Sequence, residues 1–410
     1  MEEHPAAQGS RGLVSGAPID EEAYGAVVDR VLSRLRPASR RAAEERQQVE
    51  SLAARVSAGA EGYESLSEKE KRSLKPWARL QLLWEASLRE RYRDPKRMAE
   101  LAFFASITAR NLPPEVYGAA LVADLQARAW AELANADRVN EHLEQADLEF
   151  SEARRLLKEG TGSPLVRARI ADLEASLRRD QRRIAETRAL LDEARRLYVR
   201  AGELHLAGRT LINKGATSAY EGNPHEAARL FRKGLALLDR ERDPQLLYTA
   251  QLSLIRALAE SREFRDAGKL LLSSGLREAF AEEPLVLLKL RWLEGTILAG
   301  YGHKHRAEEV FSVARGRFKE MGQEYDAALV GLELAELWLQ QGKLDAVQEL
   351  ASDTLATFRR LRIDVHALAA VQFLAECCRR KILSAKILSH VRDFLSRFQE
   401  NPYLRFEYAG

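Results

Sequence analysis

Apolar positions in this chain recur at helical spacing, and the helical runs themselves recur about every 40 residues. In the stretch Gly208 to Leu238, one run passes through Gly215 to a tight Glu221-Gly222-Asn223-Pro224 turn. A second run then carries Ala227, Phe231 and the small Gly234 on one face. That pattern predicts an antiparallel helix pair, with Gly215 and Ala227 where the helices cross and Phe231 filling the space beside the crossing. Steps of 40 from Ala227 reach Ala267, Ala307 and Val347 forwards and Thr187 backwards, and one further step of 41 reaches Ala146. Four residues beyond each stand Phe150, Leu191, Phe231, Leu271, Phe311 and Ala351, and three further on the small residues Ala153, Ala194, Gly234, Ser274, Ala314 and Thr354. A last column marks where units begin: Pro164, Pro244 and Pro284, preceded by Ser163, Asp243 and Glu283. Proline fits the first helical position because it has no N–H to leave unpaired, and Ser or Asp before it can cap the helix.

On Gly215, Gly222, Ala227, Phe231 and Gly234 the stretch resembles the tetratricopeptide repeat, a helix–turn–helix unit. Trp130, Leu133 and Ala134, followed by Leu143, Ala146, Phe150 and Ala153, make a second match, and this one keeps the family's Trp and Leu. The period is nearer that of HEAT and armadillo repeats than the family's usual ~34 residues. The Gly, Ala and Phe columns favour a tetratricopeptide unit with helices about a turn longer, similar to long-repeat bacterial signal-transduction regulators. The resemblance implies an all-α fold, a right-handed superhelical α-solenoid of antiparallel helix pairs, with an N-terminal helical extension.

Along the chain, residues 1–19 lack periodicity and are expected to be disordered, and residues 20–75 form an N-terminal helical segment. In that segment the basic run Arg34 to Arg46 is soon offset by Glu44, Glu45 and Glu50, which reads as a solvated face. Helical repeats are expected over 76–363, beginning with Trp77, Leu80, Leu83 and Trp84 and a second helix with Ala99, Ala102 and Phe103 inward. The third unit is the least typical, with Arg178-Arg179-Asp180 where apolar residues are preferred. A degenerate helix pair over 364–400 reads as a terminal cap, which solenoids need to cover their last apolar face. Residues 401–410 form a tail with three aromatics.

Composition narrows the function. The chain is 46% hydrophobic and 30% charged, with a formal charge of only +3 and acids and bases interspersed. That balance argues against a nucleic-acid interface, which needs a concentrated basic face. The start, MEEHPAAQGSRG, lacks an apolar core, and no run reaches the ~18 apolar residues of a membrane helix. Neither a membrane nor a secretory route is expected; a reducing cytoplasm fits. Cys377 and Cys378 are adjacent on a helix and point in different directions, which disfavours a disulfide between them. No nucleotide-binding loop, nucleophile turn or zinc-protease motif is present, and His303-Lys304-His305 has no third ligand nearby. The expectation is therefore no catalysis, no metal and no cofactor.

In the resembled family the first helices of successive units line a concave groove that grips a peptide or a partner's helix. Carried over by register, the groove offers Arg128, Asn135 and Arg138 from the second unit and Arg169, Asp172, Ser176 and Arg179 from the third. Arg209 and Ile212 come from the fourth unit, and Leu252 and Arg256 from the fifth. The sixth and seventh offer Lys289, Trp292 and Thr296, then Leu329, Leu332 and Leu339. A groove basic at one end and apolar at the other implies a protein or peptide partner, acidic with an apolar end, because arginine binds carboxylates in two-pronged fashion. The same arginines could instead pair with Asp124, Asp172 or Glu174, and the C-terminal apolar residues could be core between repeats. Two functions follow: an interaction scaffold or adaptor, or a sensor of a peptide or small ligand acting through a separate effector.

Overall fold

The computed structural model describes residues 76–90, 94–400 and 404–407, and every regular element among them is a helix. The expectations for residues 1–75 lie outside these, as does most of the tail. The first pair is α1 (Pro76–Glu90) and α2 (Pro95–Arg110), followed by a single turn, α3 (Pro114–Tyr117). Next come α4 (Ala119–Val139) with α5 (Leu143–Leu157), and α6 (Pro164–Asp180) with α7 (Ile184–Ala201). The fourth pair is α8 (Leu204–Tyr220) and α9 (Pro224–Leu235). The fifth is α10 (Pro244–Glu260) and α11 (Phe264–Ser273), with a short α12 (Leu276–Ala279) after it. The last three pairs are α13 (Pro284–Gly300) with α14 (Lys304–Glu320), α15 (Glu324–Gln340) with α16 (Leu344–Arg360), and α17 (Val365–Arg379) with α18 (Ala385–Glu400). This is an all-α helical-repeat fold.

Local chemistry sets the boundaries. Pro164, Pro244 and Pro284 each open a helix, and Ser163 caps α6 by accepting from the Val166 N–H. Between the two helices of a unit, one residue enters the left-handed region to reverse the chain. The positions are Glu141, Arg182, Gly222, Arg262, Gly302, Gly342 and Lys381, spaced at the repeat period. The sequence places glycine at three of them and accepts strain at four. Arg262→Gly is accordingly expected to stabilise the chain by ~0.5–1 kcal/mol, read as a higher urea midpoint. A lower midpoint would show that the Arg262 side chain contributes more than its backbone costs.

The described chain forms two compact units, one of residues 76–214 with 236–244 and the other of 215–235 with 245–407. In the first, Trp77, Leu80, Leu83 and Trp84 of α1 pack on Leu101 and Ala105 of α2 and on Val122 and Leu125 of α4. Phe150 then sits among Ala127, Ala131 and Ile170, and Tyr198 among Ala168, Ala194 and Leu206. Phe103, expected inward, is 52% exposed, with Phe104 beside it at 51%. The inward register of α2 is Met98, Leu101, Ala102, Ala105 and Ala109, and Phe103 lies one residue, about 100° of helix, round from Ala102.

In the second unit the small-residue columns do what their spacing implies. A Cβ added to Gly215 would lie 2.9 Å from the Phe231 ring, and one added to Gly295 only 2.6 Å from Phe311. One continuous core runs from Ala307 and Phe311 through Leu329, Leu332, Leu334 and Phe358 to Leu374, Leu388, Val391 and Leu395. Leu329 and Leu332, expected on the groove surface, are therefore core residues.

Candidate functional site: the inner face of the first helices

In the first unit the arginines expected to line a groove all pair with acids of the chain, and all but Arg179 are buried. Arg128 lies 4.0 Å over the Trp84 ring and 3.7 Å from Glu132. Arg169 of α6 donates two bonds to Glu132 of α4, at 2.9 and 3.0 Å. One helix further on, Arg209 of α8 donates to Asp172 of α6 at 2.5 Å, and Asn213 adds 3.3 Å to the other oxygen. Arg138 donates to Asn135 at 3.2 and 3.0 Å and reaches Asp180 at 2.6 Å, while Arg179 pairs with Asp180 at 3.3 Å. Arg169 is 1% exposed and Arg209 4%. These charges form a ladder from helix to helix. Burial disfavours the charge on Glu132, yet Arg169 and Arg128 hold its carboxyl below the usual range.

Arg178, which looked out of place in a first helix, is buried for the same reason. It donates to Glu174 at 2.7 Å and to Asp147 at 2.7 Å. The third unit therefore departs from an apolar pattern because its contacts are ionic.

A separate acid pair joins α4 to α5. The buried Glu149 accepts from Gln145 at 3.0 Å beside Asp137, whose carboxylate lies 3.1 Å from His142 Nδ1. Burial first, and the charge of Asp137 after it, push the Glu149 carboxyl up to about 8 from an ordinary 4.5. The folded chain keeps a proton that the unfolded chain releases. This carboxyl's contribution to stability is thus full below pH 4.5 and is lost as pH rises towards 8. Glu149→Gln, neutral throughout, is expected to remove that slope and to be more stable than the natural chain at alkaline pH by ~2 kcal/mol in urea unfolding. Parallel stability–pH curves for the two chains would refute the retained proton on Glu149.

The second unit differs. Arg256 of α10 is exposed and pairs with Glu260 at 2.9 Å. Lys289 of α13 lies 3.6 Å from the buried Asp326 of α15. Trp292 Nε1 and Thr296 Oγ1 both donate to Glu333 of α15, at 3.2 and 2.9 Å. Over these residues lies α18. Gln399 donates to Asp326 at 2.8 Å, the Tyr325 hydroxyl donates to the Leu395 carbonyl at 2.8 Å, and Arg392 pairs with Glu336 and acts on Glu333. Further along, a Cβ added to Gly222 in the α8–α9 turn would lie 3.5 Å from Arg397 Nε. The last helix thus reaches from α15 to the fourth pair. The sequence reads α18 only as part of a degenerate capping pair over 364–400. The missed signal is its own pattern: Leu388, Val391, Leu395 and Phe398 on one stripe, with Arg392 at its margin.

Among the described residues no helix is long and apolar enough to cross a membrane, and no group of three or more His, Cys, Asp or Glu side chains could hold a metal. Cys377 and Cys378 are both free thiols, and both are buried.

No family model and no curated protein matches the sequence. Solved structures do resemble the fold. An aspartyl phosphate phosphatase F from Bacillus subtilis matches with a TM-score of 0.51 at 12% identity, covering 89% of this chain and 97% of its own. The apo form of RapI and a Rap protein complexed with competence and sporulation factor each match with a TM-score of 0.49 at 12% identity. They cover 70% and 80% of this chain and 99% and 93% of their own. The first likeness supports the helical-repeat fold.

It also corrects one expectation. The lack of catalytic motifs implied a chain without enzymatic activity, but a protein of this fold is named a phosphatase. Motif absence on a helical-repeat scaffold therefore does not separate enzymes from pure binders, because function resides in sites placed on the fold.

Proposed function

We propose that this chain is a cytoplasmic regulator of the long-repeat tetratricopeptide type that recognises a segment of a partner protein on the inner face of its first helices. One observation carries the reading: the inner face of α13 and α15 already receives a helix, α18, through apolar contacts and charged hydrogen bonds. A surface with that combination suits helix-in-groove recognition. The internal pairing of Arg169 and Arg209 removes the basis for an acidic partner segment at the first unit, since their charges are met by Glu132 and Asp172.

A photo-crosslinking residue at Arg256, on the first-helix side of the fifth pair, tests this against one at Arg317, exposed on the second helix α14. Capture of the same partner from position 256 and not from 317 is expected. Equal capture from both, or capture only from 317, would sink the inner-face assignment. The purified partner is then assayed for loss of aspartyl phosphate in the presence of the chain, the activity named for the Bacillus subtilis protein of this fold. Loss of the label would make the regulator an enzyme acting on what it binds.

A further inference from the structure

The inner face of α13 and α15 is acidic where it meets α18. Asp326, Glu333 and Glu336 face it, and Lys289 is the one cation pairing there from α13. Glu333 is half-buried, and its two neutral donors, Trp292 and Thr296, do not balance its charge. Burial pushes its carboxyl up, and the guanidinium of Arg392 opposes that shift. Removing α18 would leave Glu333 and Glu336 close together without their cation, a costly arrangement inside a protein. The apolar half of the contact is equally specific. Leu388, Val391 and Leu395 are fully buried and Phe398 nearly so, at spacings of 3, 4 and 3 residues.

We infer that this face is a receptor for a basic amphipathic helix, and that α18 occupies it in cis in competition with a helix of the same chemistry from a partner protein. The inference rests on the reading above and names the partner's chemistry. The fitting segment has four apolar positions spaced like those of α18, and an arginine following the second to meet Glu333 and Glu336. Charge complementarity selects it: an acidic helix would repel the three carboxylates, and an uncharged one would leave Glu333 and Glu336 unmatched. Because α18 is tethered through the five-residue connection Arg380–Ser384, its effective concentration is high. An incoming helix therefore binds the natural chain more weakly than it binds the open face.

The experiment uses the full chain and a fluorescent peptide of residues 385–407. Charge reversal by Arg392→Glu sets α18 against Glu333 and Glu336 and frees the face. The Arg392→Glu chain should bind the peptide at least about ten-fold more tightly than the natural chain does. A peptide carrying Arg392→Glu should lose that binding. Circular dichroism checks the fold, and Arg392→Gln serves as a milder opening variant, expected to lie between the two. Equal binding by natural and opened chains, no binding by either opened chain, or undiminished binding of the reversed peptide would overturn the proposal. So would sedimentation of the natural chain as a dimer, since a second copy would then be the occupant. Crosslinking from Arg256 reads partner capture on α10, without α18, so failure here and failure of the inner-face reading are separately visible.

Discussion

Replacing Arg169 by methionine is expected to lower the stability of the first unit by ~3–5 kcal/mol, while replacing Arg169 and Glu132 together restores most of that loss. The reason is the burial of the pair. Glu132 and Arg169 are both almost fully buried and joined by two hydrogen bonds across adjacent first helices. Taking away the guanidinium leaves a buried carboxylate with Arg128, 3.7 Å away and itself stacked on Trp84, and the weaker action of Arg209. Taking away both partners leaves shape and apolar contact in place of an ion pair that was expensive to desolvate. A double-mutant cycle with Glu132→Gln measures the coupling directly. A coupling below ~0.5 kcal/mol would mean that the pair behaves as a surface salt bridge. Each link joins only neighbouring units, so hydrogen exchange should quicken in α4 and α6 first and in α8 less.

The same observation explains what could be read from the sequence. The Ala, Gly and Phe columns are legible because steric fit at a helix crossing admits few residue types, and the crossing recurs every unit. Prolines at helix starts are legible because backbone chemistry alone places them. The partners of the inner-face arginines are harder to see. Glu132 and Arg169 stand 37 residues apart, as do Asp172 and Arg209, an offset of one repeat less one turn. That relation is meaningless until the register of successive first helices is known, so the sequence leaves open whether these arginines face a partner or acids of the chain. Phe103 was misplaced because it adjoins Ala102, and a one-residue error turns a helical side chain by about 100°. The acids Glu333 and Glu336 were passed over because their partner, Arg392, lies in a helix that breaks the alternation of inner and outer positions.

Phe311 to alanine should cost the second unit ~3–5 kcal/mol, the usual effect of emptying the site of a buried aromatic ring. Phe311 is fully buried and lies against Gly295, where an added Cβ would sit 2.6 Å from its ring, with Val310 3.1 Å away. Gly295→Ala alone is therefore expected to cost ~1–3 kcal/mol by overpacking, since the ring has backbone on one side and core on the other. The two changes are not independent. In Phe311→Ala the space beside residue 295 is open, so adding Gly295→Ala there should be neutral or should recover part of the loss through a better helix former. Urea midpoints of the two single variants and the double variant measure this. Additive losses would place the pair out of contact and break the link between the glycine column and the aromatic column on which the repeat rests. A compensated double variant would mean that this unit, like the one built on Gly215 and Phe231, is sized by one interlocking pair: a small residue on the first helix and a ring on the second.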